Sequence, residues 1–346
     1  MSKIIQSVHW DNSKFDNIID VRTPSEFKED HIIGSLNYPV LSDYERELVG
    51  TIYKKDSPFQ ARIIGSSIIS RNISRLITKK FSKKPGSWRP LVYCWRGGQR
   101  SRALCVVMNE IGWRSTQLLG GYKYYRHDVI KQIEKLSSKL KLILISGKTG
   151  TGKTKLLHEI SKIGGQIIDL EKIANHKGSL LGKNLKKPQP SQKFFESQLF
   201  NCLCNLNFRK KVFIEAESSK IGNLHIPKAL WNKMLLAKKI NIDAPLDSRI
   251  NFLINDYKYV QFDKNFFDPF LNGLKNRINN NIMTEIKHYI EEKNWELLTK
   301  SLLENHYDPS YSLNYNKKNH QIFKNYNLKT VSKKHLNLLA HKILLL

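Results

Sequence analysis

Acidic residues are the scarce class in this 346-residue chain: 30 Asp and Glu stand against 58 Lys and Arg, a formal charge of +28. Such an imbalance argues for a polyanionic partner. Long apolar runs are also missing. No stretch reaches the roughly 20 apolar residues that a membrane span requires, and the opening MSKIIQSVHW holds no apolar core of secretion-signal length. The expected setting is cytoplasmic with no membrane contact, and the expected polyanion is nucleic acid. Cysteine is sparse as well. Four cysteines, Cys94, Cys105, Cys202 and Cys204, exclude a disulfide framework in a chain of this length. Cys202 and Cys204 lie too close together for a zinc knuckle and fall in FNCLCNLNF, which reads as core helix.

Against these absences, 40% hydrophobic residues predict a folded protein, and the length predicts two domains. The stretch with the most chemistry is Leu91–Ser101, LVYCWRGGQRS. An apolar strand runs into a loop in which Gly97 and Gly98 let the backbone curl its N–H groups inward, a nest that attracts anions. Arg96 and Arg100 add positive charge, and the helix expected from Ser101 to Ile111 points its N-terminus at Cys94. All of these favour a thiolate at Cys94, able to attack an electrophile or carry a chalcogen atom. Cys105, one turn inside that helix, reads as core.

Upstream, NIIDVR is a buried strand closing on Asp20 and Arg22, and TPSEFKEDHIIG is a short helix capped by Thr23 or Ser25 and closed at Gly34. The order DVRTPSEF, HIIGSLNYP, a strand ending in a loop cysteine, and then STQLLGGYK resembles the rhodanese-like family. One departure matters. Five residues separate Cys94 from Arg100 where common rhodaneses have four, a spacing shared with Cys-x5-Arg phosphatases and arsenate reductases and suited to a tetrahedral oxyanion. The insert between Pro39 and the cysteine strand carries Ile63, Ile64, Ile68, Ile69, Ile73, Leu76 and Ile77 at helical spacing, which predicts a core-facing helix with a basic outer face.

After a short basic hinge at 139–141, LILISGKTGTGKTKLLHEI supplies a strand, the loop Gly147-Lys148-Thr149-Gly150-Thr151-Gly152-Lys153-Thr154, and a helix. This is the full context of a Walker A loop. Backbone N–H groups at Gly147, Thr149, Gly150 and Gly152 would cradle a diphosphate, Lys153 would reach the outer phosphates, and Thr154 would ligate Mg. Later strands end on Asp169 and on Glu215 and Glu217, the candidate acids for metal or water. From about residue 251 onward the sequence reads as helical, with Tyr307, Tyr311 and Tyr315 placed in the core.

Taken in order, CWRGGQRS, GGYKYYR, GKTGTGKT, DLEKIANHKGS, QPSQKFFES, IEAESSKIGNLHIPKALW and IDAPLDSRI resemble the tRNA 2-selenouridine synthase family. The resemblance implies an α/β chain: a rhodanese-like parallel-sheet domain (1–138), a P-loop NTPase-like parallel-sheet domain (139–250), and a helical C-terminal extension (251–346) packed on it. It also implies conversion of wobble 2-thiouridine to 2-selenouridine in tRNA through an S-geranyl intermediate, with geranyl diphosphate and selenophosphate as co-substrates. By the same resemblance Asn175, His176, Gln189, Ser191, Gln192 and Arg249 become candidate substrate contacts. Two other readings of the residues stay open: a Cys-x5-Arg phosphatase or arsenate-reductase-like enzyme fused to a nucleotide-binding domain, and a nucleotide-gated RNA-binding module.

Overall fold

The structure is a computed structural model that describes residues 4–10, 13–177, 182, 187–216, 218–258, 267–275, 277–316 and 322–346, with the backbone alone for 313–316. It divides into two compact units, one comprising residues up to Gln132 together with Pro190–Asn201, the other Ile133–Gln189 together with Cys202–Leu346.

The first unit is built on five parallel strands: β1 (Ile5–Ser7), β2 (Asn17–Asp20), β3 (Leu36–Asn37), β4 (Pro90–Tyr93) and β5 (Thr116–Leu118), in the order β1-β5-β4-β2-β3. All four residues of β4 are buried, as expected of a central strand covered on both faces. Thr23 caps the helix Pro24–Glu29 through a capping box with Glu26. The insert forms helices Asp43–Lys55 and Pro58–Leu76, then a π-helical turn at Ile77–Phe81. Ile73 and Phe81 join the core while Ile69, Leu76 and Ile77 pack against it. Ile63 does not; it is exposed, although Ala61 and Gly65 on either side of it in the helix are buried. Asp20 ends β2, and Arg22 follows it. They form a fully buried ion pair at 2.6 Å, with Arg22 also bonded to the Asp30 carbonyl and stacked over Tyr122.

In the second unit β6 (Lys141–Gly147), β7 (Gln166–Ile168), β8 (Lys211–Glu215), β11 (Lys238–Asp243) and β12 (Ile322–Asn327) form a parallel sheet in the order β12-β11-β6-β8-β7, and β9 (Lys220–Ile221) and β10 (Leu224–His225) form a small hairpin. Where the sequence suggests a hinge, helix continues to Lys139 and β6 begins at Lys141. The helix Lys153–Lys162 buries Leu156, Leu157 and Ile160 against this sheet, and the last helix, Lys333–Leu344, adds Leu336, Leu339, Ala340 and Ile343 to the same core. Helices between them form a separate apolar cluster around Phe270, Leu274, Ile286, Leu298 and Leu302, against which Tyr307 packs. Among its described residues the C-terminal segment is built of helices and the strand β12. That strand lies at the sheet edge and is mostly exposed, so it lacks the apolar run that marks an interior strand. Among the described residues no helix is long and apolar enough to cross a membrane.

Because Leu339 is almost wholly buried between the terminal helix and the P-loop helix, Leu339→Ala should destabilise the second unit by about 2–5 kcal/mol. Urea unfolding of the variant beside the wild type checks this; an unchanged midpoint would show that the terminal helix contributes no core.

Candidate active sites

Cys94 follows β4 directly and is buried. Its sulfur accepts two hydrogen bonds, from the Gly98 N–H at 3.2 Å and from the Ser101 hydroxyl at 3.3 Å. Both donors belong to the start of the helix Gln99–Ile111, so the expected helix N-terminus does face the thiol. The turn before the helix Gly121–Lys139 braces the other side of the loop: Tyr122 N–H donates to the Cys94 carbonyl at 2.8 Å and Lys123 N–H to the Trp95 carbonyl at 2.9 Å. Side chains are excluded here. A Cβ on Gly121, at φ +55°, would sit 2.2 Å from the Cys94 carbonyl oxygen, and one on Gly97, at φ +65°, would sit 2.5 Å from that of Leu118.

The two arginines of the loop differ. Arg96 is exposed, with no ion pair among the described residues, whereas Arg100 grips Glu26 through two bonds of 2.7 and 3.3 Å. Burial opposes ionisation of Glu26, but the Arg100 bond and charge together with the Thr23 N–H hold its carboxyl below the usual carboxylate range. Cys105 is a core thiol that burial pushes up to about 12, so it is not poised to resolve a bond to Cys94. Sequence reasoning missed Ser101, Gln117 and Glu26. Gln117 lies in the middle of the short strand β5, Thr-Gln-Leu, where it is 2% exposed, and no pattern in the sequence marks it.

The P-loop spans the end of β6 and the start of the helix Lys153–Lys162. Lys153 Nζ lies over the loop's own carbonyls, 3.0 Å from that of Gly147 and 3.4 Å from that of Lys148. Thr154 Oγ1 donates to Glu171 at 3.0 Å, which places a hydroxyl beside a carboxylate, the hard oxygen donors that magnesium takes. Asp169 instead caps the helix Leu170–Ala174 and meets His158 at 2.6 Å. Glu215 is buried at the end of β8, in register with Ile145 of β6; Glu217 lies outside the described residues.

Arg249 is buried. It is 2% exposed, forks onto Asp308 at 2.6 and 2.9 Å, and donates to the Thr149 carbonyl at 2.8 Å, so it ties the P-loop to the helical cluster. Beside the P-loop helix is a cavity of about 810 Å³ lined mostly by polar and charged side chains, among them Lys155, Glu159, Asp247 and Lys333, with Pro245, Phe252, Val331 and Leu336 as its apolar part. Val331 and Leu336 are also the side chains closest to Gly152, which sets this cavity against the phosphate loop itself.

The remaining candidates are held in local architecture. Asn175, in a left-handed conformation, caps its helix and bonds the Lys187 and Pro188 carbonyls. Gln189 clasps the β9–β10 hairpin through Ile221 and Asn223. Ser191 caps the helix Gln192–Cys204 by accepting from Phe194 N–H, and also donates to the Glu29 carbonyl; Gln192 bonds Glu196. His176 is half-buried, and that burial pushes its imidazole below its usual value.

Comparison with known proteins covers both the cysteine loop and the P-loop. Residues 140–340 match the model of the tRNA 2-selenouridine synthase AAA domain. The chain belongs to the tRNA 2-selenouridine synthase family. Residues 5–128 match the rhodanese-like domain. Over 265 residues, 74% of this chain and 70% of the relative, it is 37% identical to the tRNA 2-selenouridine synthase of Shewanella frigidimarina. It is 35% identical to that of Nitrosomonas europaea over 69% of this chain and 63% of the relative, and 31% identical to that of Shewanella denitrificans over 88% and 90%. Members of this family are enzymes, and the chain is one of them.

The Glu26–Arg100 pair yields a pH prediction. A carboxyl whose folded value is depressed contributes stability that is complete above the unfolded value and lost as pH falls through the folded one. Glu26→Gln should therefore flatten the acid limb of the stability profile below the usual carboxylate range, read by thermal unfolding between neutral and acid pH. An unchanged acid limb would mean that the pair contributes nothing.

Proposed function

We propose that this enzyme converts the wobble 2-thiouridine of tRNA to 2-selenouridine in two steps, one at each site. In the first, the P-loop holds the diphosphate of geranyl diphosphate while the thiocarbonyl sulfur attacks the allylic carbon; the carbon–oxygen bond breaks and diphosphate leaves with the electron pair. In the second, the selenium of selenophosphate attacks C2 of the S-geranyl base, the carbon–sulfur bond breaks and the geranyl thiolate departs; water then cleaves the phosphorus–selenium bond, so that phosphate leaves and selenium stays on C2. The physical logic is leaving-group ability: a thiocarbonyl sulfur cannot leave, and a thioether sulfur can.

The observation that carries this reading is the P-loop itself, with Lys153 over its carbonyls and Thr154 beside Glu171. A diphosphate held by the backbone around Gly147–Gly152 and by Lys153 would have nearby a cavity whose lining is mostly polar and charged, in which Phe252, Val331 and Leu336 supply an apolar part for a short prenyl chain. Magnesium, supplying charge to the leaving diphosphate, would be held by Thr154 and Glu171. At the other site, two hydrogen bonds to Cys94 Sγ support an anionic sulfur engaged in selenium transfer. The charge of +28 supports tRNA as the macromolecular substrate.

Phosphatase chemistry at Cys94 finds less support. It needs a protonated acid for the leaving group, and the carboxyl that the fold brings to the loop, Glu26, is ion-paired and held ionised.

The test is mass spectrometry of nucleosides from 2-thiouridine tRNA incubated with the protein, geranyl diphosphate and selenophosphate. Cys94→Ala should accumulate the S-geranyl nucleoside without the seleno product. Lys153→Ala should reduce formation of both by about a hundredfold or more. Selenouridine formed at the normal rate by Cys94→Ala, or neither product from the wild type, overturns the reading.

A further inference from the structure

Behind Cys94 lies a buried polar relay that begins on a different strand. Gln117, in β5, points its side-chain amide at the loop: Nε2 lies 2.8 Å from the Gly97 carbonyl oxygen, 3.2 Å from that of Gly98 and 2.9 Å from Ser101 Oγ. Two of these three partners are carbonyls, which only accept, so the nitrogen must face the loop and the oxygen must face away. Gln6 in the neighbouring β1 is placed to donate to that oxygen, at 3.4 Å. The amide orientation is thus set by chemistry.

That orientation decides where the Ser101 proton goes. Ser101 Oγ has one proton and two acceptors in reach, Cys94 Sγ at 3.3 Å and the Gly98 carbonyl at 3.2 Å. The two hydrogens of the Gln117 amide go to its nearest partners, the Gly97 carbonyl and Ser101 Oγ, so one lone pair of the hydroxyl is filled, and the alternative acceptor, the Gly98 carbonyl, is already engaged by the Arg102 N–H at 3.1 Å. The hydroxyl proton is left for sulfur. Ser101, Gln117 and Cys94 are all nearly inaccessible, at 0, 2 and 3% exposure, so water does not offer a substitute donor. The charged groups around this relay do not disturb it: Arg100 is engaged by Glu26, and burial keeps the Cys105 thiol protonated.

We infer that Ser101 stabilises anionic sulfur at Cys94 by direct hydrogen bonding, and that Gln117 is a positioning residue that aims the Ser101 proton at it. This holds for any chemistry in which Cys94 works as an anion, and its test does not depend on tRNA, selenium or the P-loop.

The experiment is alkylation of Cys94 in the full chain by iodoacetamide, read at the Cys94 peptide by mass spectrometry because Cys204 is exposed and reacts too. At pH 7 Ser101→Ala should slow alkylation about tenfold, the effect of one hydrogen bond to a charged group. The deficit should close toward alkaline pH, where the thiolate forms without help; a collapsed or blocked loop would not recover. Gln117→Glu keeps the shape but replaces the donor by an acceptor that draws the hydroxyl proton away, and it should slow alkylation to a similar degree. Added to Ser101→Ala it should cost nothing further, since it acts through the missing hydroxyl. Gln117→Met, which can neither donate nor accept strongly, should fall between, and it carries the test if either of the other variants fails to fold by circular dichroism. A folded Ser101→Ala protein alkylated within about twofold of the wild-type rate at pH 7, a deficit that persists at every pH, a Gln117→Met rate equal to wild type, or a Gln117→Glu effect that adds in full to Ser101→Ala would overturn the inference.

Discussion

The cysteine site depends on how closely two stretches of bare backbone approach. The loop after β4 and the turn at Gly120–Gly121 touch through main-chain atoms, with Tyr122 and Lys123 donating into the carbonyls of Cys94 and Trp95. No Cβ fits at Gly97 or Gly121. Everything chemical about Cys94 follows from that contact. It holds the loop against the sheet, which delivers the Gly98 N–H and the Ser101 hydroxyl to the sulfur and brings Gln117 within reach of both. A glycine pair that reads in the sequence as a simple turn is the wall of the site.

Scarcity of acid shapes the rest. With fewer than one carboxylate for every cation, the acids that lie near functional residues are used to hold them in place. Glu26 fixes Arg100 beside the cysteine loop, and Asp308 fixes Arg249 beneath the P-loop. Asp256, kept ionised in spite of burial, receives Lys177 and Lys155. Arg100 and Arg249, both candidate ligands in the sequence, are thereby each held by a carboxylate. The cations left over, among them Arg96, Arg75, Lys79 and Lys80, are exposed, where a polyanion can reach them without competition from neighbouring carboxylates.

The second unit uses its C-terminus as a structural part. The terminal helix packs on the P-loop helix, and Val331 and Leu336 close one side of the cavity against Gly152. The residues that would surround a ligand's organic group thus come from three distant stretches, around Lys155, Phe252 and Val331. The phosphate loop is local to eight consecutive residues, while the lining of the cavity beside it is spread over about 180.

What the sequence by itself determined is what depends on neighbours in the chain: the strand and glycine loop at Cys94, the capping box at Thr23, the Walker A loop, and the order of blocks that marks the family. Each is a local pattern of backbone need, and such needs are written in consecutive residues. The tertiary structure alone decided which polar side chains meet. Gln117 reaches Ser101 from another strand, Glu26 takes Arg100 across 74 positions, and Arg249 turns inward to Asp308. Likewise Gln189, Ser191 and Gln192 are occupied by backbone or neighbouring side chains. A hydrogen bond between distant residues leaves no periodicity and no spacing in the sequence, because its geometry exists only once the sheet has set its strands side by side.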